Sequence, residues 1–301
     1  MLETVAAIWE VGKYAFDGYL WAKKKLSTIA DHAIARVERV INAKDATEKY
    51  IHIFGVINDL PKVRVKGAIE FNEEITDLAN KHLSKIELNE MHGLVLDWDG
   101  VETTELNVQT ADFAHVQAMR ELGERPQILS AGAVLVCPEK RCILVHKRSE
   151  SSATYPSRLH ILGGGYKPPV MYKKIDNPGD RSSLEFTMIR EVFEESGLIL
   201  RRYHEPIAVA QELDTGFIQY VYLGVRVTSQ QYEQLEANTE GRLLPVGFDE
   251  LVNKLKNNDI WVPTGRAHIL MWLGLGAPGA GFFRPRFDGK TAREAFDEAT
   301  K

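Results

Sequence analysis

Arg190-Glu191-Val192-Phe193-Glu194-Glu195-Ser196-Gly197-Leu198 is the stretch whose reading decides the fold. Taken as a helix, it places Glu191, Glu194 and Glu195 at i, i+3 and i+4, so three carboxylates leave one face. Like charges that close repel, and a surface helix gains nothing from them. A hard divalent cation changes the balance, because Mg²⁺ takes oxygen ligands and neutralises the cluster. Arg190 offers a guanidinium fork that can pin a carboxylate. Gly197 stands where a helix C-terminus takes a left-handed residue, so the helix ends just past the cluster. The competing reading is a plain solvated acidic face.

Upstream, an apolar strand with a basic end (Cys142 to Arg148) leads through a polar loop and Tyr155-Pro156 to Leu159-His-Ile-Leu-Gly-Gly-Gly165. With the acidic helix added, the order resembles the Nudix hydrolase family, whose box reads G-x5-E-x7-R-E-U-x-E-E-x-G-U, with U aliphatic. Arg190 to Leu198 matches the second half in full. The first half departs from it: Ser182 stands where the pattern has Glu, and Asp176 where it has its first Gly. An insertion over Tyr166 to Gly179, after the Gly cluster, accounts for the second departure. Glu185, one turn after Ser182, is placed to replace part of the missing carboxylate. The resemblance spans roughly residues 128–275.

The resemblance implies an α/β/α sandwich and Mg²⁺-dependent hydrolysis of a nucleoside diphosphate linked to another moiety, with Mn²⁺ as the alternative ion. Carried over residue by residue, Glu191, Glu194 and Glu195 are the metal ligands, and one of them, or a Glu outside the box, orients or deprotonates the attacking water. Gly164 or Gly165 offers a further carbonyl ligand. Arg190 is expected to pair with a box Glu rather than with substrate. Lys147 and Arg148 are candidates for substrate phosphates, and Glu212 and Asp214 for an extra carboxylate or for plain surface charge. His160, beside the Gly cluster, reads as a packing residue before a catalyst. A degenerate domain that senses a nucleotide without turnover is the second reading, favoured by Ser182 and the insertion. An isomerase of the same fold would need a catalytic Cys near the pocket, and an RNA-decapping role would need a basic RNA path; neither is evident.

The composition is that of a globular protein, with 301 residues, 44% hydrophobic and 26% charged. A net charge of −5 argues against a general nucleic-acid surface. Cys137 and Cys142 flank a Pro-Glu-Lys-Arg turn and are too few for a zinc site. No apolar run is long enough for a membrane span and the N-terminus lacks a secretory pattern, so a cytoplasmic protein is expected.

Four regions follow: a helical segment over 1–48, a small α/β domain over 49–125, the Nudix-like domain over 126–276, and a Gly/Pro linker and tail over 277–301. In the first, Trp9, Tyr14, Phe16, Tyr19 and Trp21 precede three lysines, which reads as packing on a partner or a second domain before membrane contact. Leu26, Ala30, Ala33, Val37 and Val40 form a coiled-coil seam, consistent with a helical hairpin or a homodimer. In the second, residues 50–57 and 63–71 read as two strands joined by a turn, followed by a helix from Asn72, a strand over 93–98 and a helix over 110–122. Leu94 to Val101 resembles the first motif of the haloacid-dehalogenase-like phosphatases, but no room remains for that fold, so a strand ending in an Asp-Gly turn is expected. Gly289-Lys290-Thr291 lacks the upstream Gly of a phosphate loop.

Overall fold

The computed structural model describes residues 27–42, 50–84, 90–98, 100–150, 152, 154–168, 183–200, 206–235, 241–280 and 285–301. The aromatic segment before residue 27, expected to be helical, most of the 166–179 insertion, Asp99 and Ser182 therefore lie outside the described residues.

The expected α/β class holds, as layers of helix on both faces of a mixed sheet. Helix α1 covers residues 27–42. There follow β1 (Ile51–Ile57), β2 (Lys62–Ala68), α2 (Glu73–Leu83), β3 (Met91–Asp97), β4 (Glu105–Asp112) and α3 (Phe113–Glu121). The second half contributes β5 (Ile128–Cys137), β6 (Cys142–Arg148), β7 (Leu159–His160), β8 (Leu162–Gly165), α4 (Leu184–Ser196), β9 (Ile207–Glu212) and β10 (Phe217–Arg226). It closes with α5 (Ser229–Tyr232), β11 (Gly241–Gly247), α6 (Phe248–Lys256), α7 (Pro263–Gly274) and α8 (Ala292–Ala299).

Strand β5 is the hub. It runs parallel to β10 and antiparallel to β8 along its first half and to β6 along its end. All ten of its residues are buried, as a strand covered on both faces requires. Its side chains alternate between two cores. Val134 and Val136 join Val221, Leu223, Trp261 and Trp272 beneath α1, α6, α7 and α8. Leu129, Ala131, Ala133 and Leu135 join Met188 and Val192 of α4 on the opposite face. The β5–β6 hairpin sets Cys137 opposite Cys142, and both thiols are free and buried.

Several expectations need correction. The strands over 50–57 and 63–71 do not pair with each other. Strand β1 pairs antiparallel with β9, and β2 pairs parallel with β4, a strand the sequence reading missed. The reason is in the side chains: Ile51 and Ile53 bury in the main core, whereas Lys62, Arg64 and Lys66 leave β2 exposed at an edge. Residues 49–125 share sheet and core with the second half, since β3 also bonds to β5 and Val95, Leu106 and Val108 share a core with α4. Asp97 ends β3 exposed, between antiparallel neighbours, in accord with the strand-and-turn reading.

The seam of α1 is occupied within the chain. Ala33, Val37 and Ile41 sit in the core, while Val40 is only half-buried. Arg36 bonds Asp297 at 2.6 Å, so this face is not free to zip onto a second copy. Helix α7, read as amphipathic, is buried on nearly every side because α1 and α8 cover what the sheet does not. The presumed linker and tail are core: Ala277, Ala280, Phe287 and Phe296 are buried, and Phe287 packs on Phe248 and Trp272. No helix among the described residues is long and apolar enough to cross a membrane.

If residues 277–301 were a loose tail, Phe287→Ala would be silent. Removing a ring from a fully buried aromatic cluster instead costs roughly 3–5 kcal/mol, which a denaturant or thermal unfolding curve will register.

Candidate functional site

Ser183 opens α4 by accepting a hydrogen bond from the Phe186 N–H at 3.0 Å, and Gly197, at φ 72°, closes it in the left-handed region. Leu184, Met188 and Val192 hold the helix against β5 and β8. Arg190 is then driven under the Gly loop, with no exposed surface. Its guanidinium donates to the Gly165 carbonyl at 2.8 Å and to Glu194 at 2.6 Å, and it pairs with Glu191. Arg190 thus contacts two box carboxylates, Glu191 and Glu194.

Glu191, Glu194 and Glu195 line one cavity of about 430 Å³, together with Gly163, Gly164, Gly165, His92, His146, Arg148, Lys167 and Glu90. Glu191 lies so close over Gly164 that a Cβ there would come within 2.3 Å of its carboxylate and push it aside. Glu195 is buried, takes the Gly163 N–H at 3.0 Å and faces His146 Nδ1 at 3.2 Å. Burial pushes the Glu191 carboxyl up to about 8, against the pull of Arg190 and Lys167. Burial also drives His92 down to about 4, so it is neutral near pH 7.

The donors match a hard divalent cation in kind, being carboxylate and carbonyl oxygens. Their arrangement is another matter. Among the described residues, no group of three or more His, Cys, Asp or Glu side chains is disposed to hold a metal ion. Glu191 and Glu194 turn toward Arg190, Glu195 toward His146, and the Gly165 carbonyl is taken by Arg190. Glu185 is not part of the cavity wall.

The predicted phosphate contacts divide. Arg148 reaches the cavity, steadied by the Thr154 carbonyl at 3.0 Å. Lys147 does not: strand alternation turns it to the other face, where it is exposed and lines a surface groove with Arg158 and Lys254. The same alternation brings His146 in, a residue the sequence reading passed over although it lies two positions from Arg148. Lys167, bonded to Glu90 at 2.8 Å, was missed because the insertion masks the chain's return past Gly93.

Glu212 and Asp214 do not reach the acidic wall. Glu212 is no surface charge either: it is buried, with its carboxylate bonded to Thr215 and, at 3.4 Å, to Thr264. Asp214 accepts from the Tyr155 hydroxyl. His160 packs as expected, with Nδ1 2.8 Å from the Ile161 carbonyl and Nε2 3.3 Å from the Thr264 hydroxyl. Both Glu212 and His160 line a second cavity beside the Gly loop.

No protein-family model and no curated protein matches the chain. Solved structures do. The MutT protein of Methanosarcina mazei Go1 is 22% identical, with a TM-score of 0.35 over 48% of this chain and 91% of its own. The NUDIX domain of Shewanella oneidensis NrtR, complexed with ADP ribose, is 13% identical, with a TM-score of 0.31 over 44% and 80%. A bifunctional NMN adenylyltransferase/ADP ribose pyrophosphatase from Francisella tularensis, complexed with AMP and Mn ion, is 14% identical, with a TM-score of 0.37 over 53% and 46%. Several of the solved structures this chain is similar to are named as NUDIX hydrolases or NUDIX domains. The likeness covers about half of this chain, and the chain spans less than half of the bifunctional protein.

Burial, followed by the charge of Asp214, pushes the Glu212 carboxyl from 4.5 up to about 7. The folded chain therefore holds this proton where the unfolded chain has lost it. Stability falls as pH rises from about 4.5 to about 7, by roughly 3 kcal/mol. Glu212→Gln keeps the shape and removes the titration. The fall in Tm between about pH 5 and about pH 8 should shrink in that variant; an unchanged fall would show that another group sets it.

Proposed function

We propose that the chain is a Nudix-type pyrophosphohydrolase that cleaves a diphosphate linkage in a nucleotide-type substrate with a divalent cation, Mg²⁺ or Mn²⁺, and that it works in the cytoplasm. One observation carries the reading: a single cavity joins the carboxylates of Glu191, Glu194 and Glu195 to the Gly163–Gly165 run and to two cationic side chains, Arg148 and Lys167. An acidic wall alone repels a diphosphate. An acidic wall with a bound cation, faced by two further positive groups, attracts one.

Glu191, Glu194 and Glu195 are the residues that would hold the cation. When bound, such an ion offsets charge on the phosphoryl oxygens and lowers the pKa of a coordinated water. The chain's own residues do the rest. Arg148 and Lys167 are placed to hold phosphate oxygens through charge-assisted hydrogen bonds. Gly163 to Gly165 let β5, Glu191 and His92 pack directly against this backbone. Arg190 has no exposed surface, so it acts as a positioning residue that sets the carboxylates relative to the Gly loop. Holding a cation would draw Glu195 from His146, leave Arg190 paired within α4, and need Glu191 deprotonated.

The second reading is a nucleotide-binding module without turnover. It is favoured by the same pairing, in which each carboxylate already has a cationic or histidine neighbour. Turnover of a panel of nucleoside diphosphate derivatives, measured with Mg²⁺, Mn²⁺ and EDTA, separates the two. The enzyme reading predicts metal-dependent turnover that drops at least about a hundredfold in Glu194→Gln and Glu195→Gln. Tight nucleotide binding with no metal-dependent turnover would establish the binding module instead.

A further inference from the structure

Part of the acidic cavity is built by the stretch of chain that precedes the Nudix resemblance. Glu90 and His92, at the entry to β3, line it together with Lys167, which follows the Gly strand. A backbone bond fixes the meeting: the Gly93 N–H donates to the Tyr166 carbonyl at 3.0 Å. It joins the residue after His92 to the residue after Gly165, so the imidazole settles against the Gly loop. A Cβ on Gly165 would come within 2.5 Å of His92 Nδ1. Phe113 packs on the same ring, with centroids 5.5 Å apart.

The cations around this cavity already have partners. Arg190 pairs with Glu191 and Glu194, Arg148 donates to the Thr154 carbonyl, and Lys167 pairs with Glu90 at 2.8 Å. His92 is different. It is 8% exposed, and among the described residues neither of its nitrogens has a hydrogen-bond partner. The two nitrogens sit in different surroundings. Nδ1 is enclosed against Gly165, whereas Nε2 is not enclosed, and the space that His92 lines is the acidic cavity. Burial keeps the ring neutral near pH 7, so it has one proton for two nitrogens. A trapped N–H without an acceptor is rarer than a trapped lone pair. The proton therefore belongs on Nε2, which turns a donor toward the cavity. Being neutral, this donor is not drawn into an ion pair with α4 as the Arg190 guanidinium is.

We infer that His92 is a substrate-binding residue whose Nε2–H donates to a phosphate oxygen of the diphosphate, beside Arg148 and Lys167. The inference rests on the pyrophosphohydrolase reading for the identity of the anion. It makes the first half of the chain part of the site, through a strand outside the Nudix resemblance.

The test uses the full chain and methylenediphosphonate, a diphosphate analogue with no hydrolysable bridge, in Mg²⁺ and in EDTA. Calorimetry should show binding in Mg²⁺, weakened about tenfold in His92→Phe. A glutamine amide nitrogen falls near the place of Nε2 and an asparagine one near that of Nδ1. His92→Gln should therefore recover the affinity to within about threefold, and His92→Asn should not. Proton–nitrogen correlation spectra of the chain with isotope-labelled histidine should place the His92 proton on Nε2 and move that signal as the diphosphonate binds. The spectra and the glutamine variant carry the test if the phenylalanine variant loses its cooperative unfolding transition. A proton on Nδ1, a His92 signal unmoved by bound diphosphonate, or a phenylalanine variant that binds as the wild type does would overturn the role of His92 and leave the hydrolase standing. Binding that depends on His92, without turnover of any nucleoside diphosphate derivative, would do the reverse. No diphosphonate binding in either condition would overturn both.

Discussion

Everything in the cleft hangs on a guanidinium with no exposed surface. A buried charge survives only when it is paired and its N–H groups are hydrogen-bonded. Arg190 is paired through its terminal nitrogens, which grip two carboxylates of its own helix and the Gly165 carbonyl of the strand above. The grip fixes both the rotation of α4 and its distance from the Gly loop. Glu191 then falls over Gly164, where a side chain would collide with it, and Glu195 reaches the Gly163 N–H. Acidic wall and glycine run are thus one structural unit, held by a residue that is hidden from the cavity it organises.

The sheet supplies the frame for that unit. Strand β5 lies where the two halves of the chain meet, paired with β3 and β10 as well as with β6 and β8. Its first half carries the Gly strand and one wall of the second cavity. Its second half carries the hairpin to β6, whose alternation sends His146 and Arg148 inward. The cores on the two faces, one under α4 and one under α7, keep this strand from shifting register, because a slip by one residue would exchange them.

How far the sequence reveals this depends on whether a signal is local. The α4 cluster is legible because helical spacing, a capping Gly and an adjacent Arg all lie within nine residues. The β5–β6 hairpin is equally plain from its turn. What is not legible is pairing between distant strands. Nothing in Tyr50–Ile57 says that it will join β9 rather than its neighbour, and edge strand β2 separates from it only because Lys62, Arg64 and Lys66 cannot be buried. The Gly/Pro-rich stretch near residue 277 reads as a linker by composition, yet Gly279 packs against the Gly224 backbone in a way no side chain would allow. Lys147 and Arg148 look equivalent as a basic pair, and only the pleat distinguishes them.

The central claim is that α4 presents a cation-binding wall even though its carboxylates rest on Arg190 and His146. A crystal structure of the chain soaked with Mn²⁺, read by the anomalous signal of the metal, tests it most directly. The account predicts a peak bound by oxygens of Glu191, Glu194 and Glu195 beside Gly164, with Arg190 still paired within α4 and Glu195 turned from His146. No manganese at these carboxylates at saturating concentration would contradict it.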